Sequence, residues 1–243
     1  MQMSGNTVLI TGGSSGIGRA LAARFLAAGN KVIVTGRRAG LLDELKQQYP
    51  AVLTRVCDAG SEIDRAALAR DMVREFPDLN VVINNAGIQR KIDLVKGEPW
   101  RETEQEIAIN LAGPIHLSML FLPHLVKQPR AVLMNVSSGL AFVPIARMPV
   151  YCATKAALHS FTQSLRHQVQ GTPVQVVEII PPAVKSNLGG SHDFGVDTDE
   201  YADSVMAQLA EGRLELTYDM SARASQASRA ELDEIFKRMN SAV

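Results

Sequence analysis

The chain is expected to fold as one doubly wound α/β domain around a parallel sheet, and three observations lead there. Short runs rich in Val, Ile and Leu alternate with longer amphipathic stretches, the pattern of parallel strands joined by crossover helices. The short runs are nearly continuous in apolar residues, as strands buried on both faces are. No Pro-, Gly- or Ser-rich linker breaks the succession before about residue 187, so the 243 residues read as a single domain, 1–243.

The first strand is expected at 7–11, followed by a glycine turn and a helix near 16–28. A second strand at 31–35 leads to a helix at 39–48, and a third at 51–56 leads to a helix at 61–75 whose start is marked by Ser61 and Asp64. Strands at 80–83, 130–136 and 174–180 alternate with helices at 101–126 and 152–170, mostly with apolar residues at three- and four-residue spacing. From Asn187 to Thr198 the chain turns polar and glycine-rich, and a helix follows at 199–211; the segment 187–212 reads as a mobile substrate flap. Ser228 and Glu231 form a capping box that opens a helix over 228–240, with Leu232, Ile235, Phe236 and Met239 on one face, expected to pack on the core.

Twenty-five Lys and Arg balance 25 Asp and Glu, so the net charge is zero and the basic excess of a nucleic-acid or polybasic membrane binder is missing. The zero is a cancellation. Residues 1–190 hold 20 basic and 14 acidic groups, residues 191–243 hold 5 and 11, and a positive N-terminal part suits a ligand with several phosphate charges. The hydrophobic content of 46% is enough for a core, while the longest apolar stretches, such as Val176-Val177 and Ile179-Ile180 around Glu178, fall short of the roughly 20 residues of a membrane span. The expected protein is soluble, without a membrane partner. The first basic residue is Arg19 and a strand-like run begins near Thr7, so no secretory signal is expected. Cys57 and Cys152 cannot build a disulfide framework, which points to a reducing compartment, and a cytoplasmic location is the expectation. His116 and His192 have no partner at ligand spacing, so no metal site is expected.

Val8-Leu9-Ile10 runs into Thr11-Gly12-Gly13-Ser14-Ser15-Gly16-Ile17-Gly18 and then a helical pattern. Strand, glycine turn and helix N-terminus together offer backbone N–H groups and the positive end of a helix dipole to a pyrophosphate. In isolation the same string is equally a tight corner without a ligand; its place after the first strand favours the phosphate. No Gly-Lys-Ser/Thr follows, which removes the kinase and ATPase readings. Where a domain preferring NAD carries an acid after the second strand, this chain has Gly36-Arg37-Arg38. Arg37 and Arg38 can clamp a 2′-phosphate, or else stand as a solvated pair; the expectation is NADP over NAD.

Ser138 closes the fifth strand, and Tyr151 and Lys155 sit four apart on one face at the start of a helix. A phenol titrating near 10 is a poor acid or base at neutral pH unless a cation stabilises its anion, and Lys155 would supply one. Ser138 could hold a substrate oxygen near the phenol.

These motifs resemble the short-chain dehydrogenase/reductase family across residues 6 to about 188. Thr11-Gly12-x-x-x-Gly16-x-Gly18, Asn84-Asn85-Ala86-Gly87, Asn110, Ser138 and Tyr151-x-x-x-Lys155 match it in order and spacing. A finer resemblance, to a DltE-like branch, is carried by Gly5 to Gly13, Ala86 to Gln89, Leu122 to Leu125, Val150 to Ala157 and Pro181-Pro182. The resemblance implies a Rossmann-type domain with a seven-stranded parallel sheet and a nicotinamide cofactor across the strand ends. It implies Tyr151 as acid/base, Ser138 as its substrate-orienting partner, and Lys155 as the group that lowers the Tyr151 pKa and holds the nicotinamide ribose. Asn110 would bind a water relaying protons to Lys155. Gly12, Ser14, Ser15, Gly16, Ile17 and Gly18 would hold the phosphates, Asp58 the adenine, and Asn85, Ala86 and Gly87 the adenosine ribose. Pro181, Val184 and Ser186 would meet the nicotinamide. Two residues depart from the family pattern: Pro182 stands where most members have Gly, and Ser15 where many NADP-using members have a basic residue. The branch name carries no reaction, so no role in D-alanine or teichoic acid metabolism follows from it.

On the substrate side, the loop from Leu140 to Val150, with Ala141, Phe142, Val143, Pro144, Ile145 and Met148, is expected to pave an apolar pocket beside Ser138, with packing on the sheet as the alternative. Arg147, Arg90 and Lys91 are the charges near its mouth. The expected function is NADPH-dependent carbonyl reduction or alcohol oxidation on a small molecule. The rival is a non-catalytic NADP-binding redox sensor, which would have no need of Ser138, Tyr151 and Lys155. A methyltransferase would need an acid after the second strand and no Tyr-x-x-x-Lys, and fails on both. A homodimer or homotetramer through the helices at 101–126 and 152–170 is implied by the resemblance.

Overall fold

Val8, Leu9 and Ile10 are fully buried because helices cover both faces of their strand, β1 (Thr7–Thr11), in a computed structural model that describes residues 1–97, 99–190 and 194–241. The chain then runs through α1 (Gly16–Ala27), β2 (Lys31–Gly36), α2 (Ala39–Gln48), β3 (Leu53–Val56), α3 (Glu62–Glu75) and β4 (Leu79–Asn84). After α4 (Trp100–Ile107), a π-helical turn (Ala108–Ala112) and α5 (Gly113–Leu125) come β5 (Ala131–Val136), α6 (Pro149–Gln168) and β6 (Val174–Ile180). The last elements are α7 (Thr198–Ala210), β7 (Glu215–Thr217), α8 (Met220–Gln226) and α9 (Arg229–Asn240).

The seven strands pair in parallel in the order β3-β2-β1-β4-β5-β6-β7. Alternation of side chains along each strand divides the core. Val8, Ile10, Val32 and Val34 pack with Leu21 and Phe25 of α1 and with Tyr201 and Val205 of α7. Leu9, Ile33, Val82 and Leu133 pack on the other face with Met72 of α3, Phe121 of α5 and Leu165 of α6. The strand order reverses between β1 and β4, and the crevice past their C-terminal ends is where a doubly wound sheet binds ligands.

Most element boundaries fall within two residues of expectation, and the larger shifts have local causes. β3 starts at Leu53 and not at 51, because the Val52 N–H is taken by the Tyr49 carbonyl in a turn. α6 starts at Pro149 and not at 152, since a proline fits the first turn of a helix, where its missing N–H has no partner to lose. Ser61 caps α3 by accepting the Asp64 N–H at 3.2 Å, and Ser228 and Glu231 form both bonds of the capping box of α9.

Two expectations are corrected. The continuous helix Trp100–Leu125 is long and apolar enough to cross a membrane by length and composition; here Leu117, Phe121 and Leu125 of it are buried in the core. Nor does α9 pack on the core: it has no buried residue, and Phe236 is 41% exposed.

Candidate active site

The turn after β1 needs its glycines. Gly12 and Gly16 have φ of +65° and +53°, and a Cβ on Gly12 would stand 2.7 Å from the Ala86 Cα. A Cβ on Gly18 would stand 2.4 Å from the Asn85 Nδ2. That amide donates to the carbonyls of Thr11 at 2.9 Å and Gly12 at 3.1 Å, while the Thr11 hydroxyl accepts the N–H groups of Asn85 and Ala86. The turn is thereby stitched to the loop after β4. Ser15, at the N-cap of α1, makes no side-chain cap, so the N–H groups of the first helical turn face the crevice unclaimed by a side chain.

One cavity of about 810 Å³ runs from this turn to the far side of the sheet end. Its lining contains every cofactor residue expected from the sequence: Gly12, Ser14 to Gly18, Arg37, Arg38, Asp58, Asn85 to Gly87, Tyr151, Lys155, Pro181, Val184 and Ser186. Arg37 and Arg38 are exposed just past β2, without an acidic partner among the described residues. A glycine cradle, an open helix start and two unpaired arginines fit a phosphate-rich dinucleotide. Lining residues the sequence reading missed include Thr35, Cys57 and Ile109; only the fold brings them to the strand ends.

At the other end, Ser138, Tyr151 and Lys155 are all buried and all line the cavity. Ser138 lies past the end of β5, opening a 3-10 turn, and its Oγ accepts the Leu140 N–H at 3.1 Å. Burial pushes the Tyr151 phenol above its ordinary range, and the Ser138 hydroxyl pulls it partway back. Burial also pushes the Lys155 ammonium down to about 8, against the pull of Glu178 and Glu106. The lysine Nζ donates to the Val136 carbonyl at 2.7 Å and stands 5.6 Å from the Tyr151 ring centre, and in this arrangement the net shift of the phenol is upward, with desolvation its largest cause.

Asn110 sits in the π-helical turn and is fully buried, outside the cavity lining. Its Oδ1 accepts the Ile88 N–H at 2.9 Å and its Nδ2 donates to the Ile88 carbonyl at 2.8 Å and to the Thr154 Oγ1 at 3.4 Å. The expected water-holding side chain is in this structure a clamp on the loop after β4. A π turn commonly re-aims one side chain in this way at a functional site.

Leu140 and Met148 line the substrate end as expected, whereas Phe142 does not. Its ring lies edge-on against His159, with centroids 4.8 Å apart. Val143 and Ile145 of the same loop line the cavity as expected, and Leu188, Ile235 and Met239 add apolar wall from elsewhere in the chain. α9 reaches the site because Asn240 accepts the Ala146 N–H at 2.7 Å and donates to the Pro144 carbonyl at 3.2 Å. The amphipathic face of α9 was the available signal. Arg147 and Arg90 line the mouth, but the Arg90 guanidinium is taken by Gln105 at 2.6 Å and by the Glu102 carbonyl, and Lys91 does not line the cavity. The base of the flap is tied down by the Lys185 N–H to Val196 and the Val196 N–H to Ala183, both at 2.9 Å, while His192 lies outside the described residues. Pro182 lines the cavity beside Pro181, whose carbonyl accepts the Gly139 N–H at 2.9 Å.

Comparison with known proteins finds relatives along most of the chain. The family model described as short chain dehydrogenase matches residues 6–193. The "Uncharacterized oxidoreductase DltE" of Bacillus subtilis (strain 168) is 47% identical over 99% of this chain and 98% of its own length. The "NADP-dependent 3-hydroxy acid dehydrogenase YdfG" of Salmonella typhi is 33% identical over 79% of this chain and 78% of its own. Among solved structures, a short-chain dehydrogenase from Sphingobium yanoikuyae in complex with NADPH superposes with a TM-score of 0.79 at 25% identity, covering 95% of this chain and 92% of that one.

Proposed function

Because the chain belongs to the short-chain dehydrogenase/reductase family, we propose that it is an NADPH-dependent carbonyl reductase that converts a small ketone or aldehyde to the alcohol. The observation that carries this reading is the joining of two chemistries in one cavity: a buried Ser138, Tyr151 and Lys155 at one end, and at the other two exposed arginines with no acidic partner among the described residues. The cofactor, when bound, supplies the hydride. The glycine turn and the first turn of α1 hold its phosphates, and Arg37 and Arg38 select the 2′-phosphate. A relative named as NADP-dependent and a structural neighbour named with NADPH support that choice.

Ser138 holds the substrate oxygen, and Tyr151 gives its phenol proton to that oxygen as negative charge develops there. A phenol pushed upward by burial is protonated at neutral pH and so holds the proton that a reduction must deliver. Leu140, Val143, Met148, Ile235 and Met239 exclude water from the reacting carbon and favour apolar substituents. Exposed Met119 on the helix Trp100–Leu125 and exposed Val126 just past its end support pairing into a homodimer or homotetramer.

The reading is tested by a panel of ketones, aldehydes and 2- and 3-oxo acids followed by loss of NADPH absorbance. It expects turnover with at least one carbonyl class and weaker use of NADH; a protein that binds NADPH and reduces nothing in the panel would be a sensor instead.

A further inference from the structure

Glu106 is a carboxyl group with no exposure at all, one helical turn before Asn110 on the helix that packs against α6. Its Oε1 accepts the Arg90 N–H at 3.1 Å, as the Asn110 Oδ1 accepts the Ile88 N–H at 2.9 Å. The spacings match. Alternate residues of an extended strip lie about 6.5 Å apart and successive turns of a helix about 5.4 Å, so two side chains one turn apart can hold residues 88 and 90 together. The strip so held runs from Gly87 to Arg90 and walls the cavity. A Cβ on Gly87 would meet the Asn110 Oδ1 at 3.4 Å and the Lys155 Nζ at 3.8 Å, so clamp and lysine converge on the same point of the wall.

The clamp uses only one oxygen of Glu106. The other, Oε2, is buried with no hydrogen-bond partner among the described residues, a costly arrangement for an ionised carboxylate and one that favours its protonated form. The charged or titratable groups facing it are Arg90 on the wall strip and Tyr151, Cys152 and Lys155 on α6, all within its electrostatic reach. Burial raises its own titration above the ordinary glutamate value.

We propose that Glu106 is a buried proton station serving the Tyr151–Lys155 pair. The idea rests on the reductase reading. In each reduction Tyr151 gives one proton to the substrate oxygen while the substrate carbon receives the hydride from NADPH. The Tyr151–Lys155 pair, short by that proton, takes one from the Glu106 carboxylic acid. The carboxylate left behind regains a proton from solvent before the next turnover.

Glu106→Gln separates the two roles, since its amide oxygen can still accept the Arg90 N–H while it neither ionises nor exchanges a proton. Glu106→Leu removes both roles. The expected result for Glu106→Gln is a fall in kcat of about tenfold or more with KM little changed. In the free protein, Lys155 followed by NMR with labelled lysine is expected to titrate at lower pH in Glu106→Gln than in wild type, the neighbouring negative charge having gone. Wild-type kcat and unmoved Lys155 titration in Glu106→Gln, with a defect only in Glu106→Leu, would reduce Glu106 to a clamp and overturn the proposal. If Glu106→Gln does not fold, the wild-type carboxyl titration decides: a Glu106 signal in the ordinary glutamate range overturns it, and an elevated one that moves together with Lys155 supports it. The NMR arms need no substrate, so they stand apart from a failure to find carbonyl reduction.

Discussion

The Lys155 Nζ donates to the backbone carbonyl of Val136 at 2.7 Å, which holds the ammonium beneath the sheet end and 5.6 Å from the centre of the Tyr151 ring. A cation fixed by the last residue of β5 is aligned with Ser138, two residues further along the same backbone. The strand thus sets the relative positions of the three groups proposed to be catalytic, and helix α6 supplies two of them one turn apart.

This placement has a stability consequence. Burial lowers Lys155 from 10.5 to about 8 in the folded protein, so its charge opposes folding fully below pH 8, and the penalty fades as pH rises towards 10.5. Lys155→Met is expected to raise the stability of the free protein at pH 7 by about 1–3 kcal/mol while abolishing turnover, and denaturant unfolding at pH 7 and pH 10 checks it. The gain is expected to shrink at the higher pH.

The proposed preference for NADPH rests on Arg37 and Arg38, the pair after β2. Charge-assisted hydrogen bonds are worth roughly 1.5–3 kcal/mol, so Arg37→Asp is expected to weaken NADPH binding about 10- to 100-fold and to leave NADH binding equal or better. Fluorescence titration with both cofactors measures the ratio. An unchanged ratio would remove Arg37 from the phosphate site.

The glycine turn is sterically exacting. In Gly18→Ala the new Cβ would meet the Asn85 Nδ2 at 2.4 Å and the Gly12 carbonyl oxygen at 2.9 Å. Relief requires opening the stitch between the turn and the loop after β4. Thermal unfolding is expected to show a loss of about 1–3 kcal/mol, together with weaker binding of both cofactors.

The helix α9 is joined to the substrate loop chiefly through Asn240. Asn240→Ala removes the bonds to Ala146 and Pro144 and is expected to raise KM for the carbonyl substrate several-fold, with little change in NADPH affinity or in Tm, because α9 has no buried residue. Steady-state kinetics beside a melting curve separates these outcomes.

Much of this arrangement was legible in the residues themselves. Runs such as Val8 to Ile10 and Val176 to Ile180 fixed strands by composition, and Gly12, Gly16 and Gly18 marked a turn that only glycine could make. Tyr151 and Lys155 were visible through their four-residue spacing. What stayed hidden depended on contacts distant in sequence. Phe142 looked like pocket lining from its neighbours, yet its ring found His159, a partner on α6. The face of α9 bearing Ile235 and Met239 was seen as amphipathic, but its place over the cavity depends on Asn240 meeting Pro144 and Ala146, nearly a hundred residues away. Glu106 gave no signal at all. A glutamate in a charged helix start reads as solvated, and only the packing of that helix on α6 takes it out of water.

The most direct test of the central claim is the Tyr151→Phe variant, with carbonyl-dependent NADPH oxidation and NADPH binding measured on the same preparation. General acid catalysis by the phenol predicts a loss of turnover of about 10²–10⁴-fold with NADPH affinity changed little. A Tyr151→Phe protein that reduces the carbonyl at near wild-type rate would contradict it.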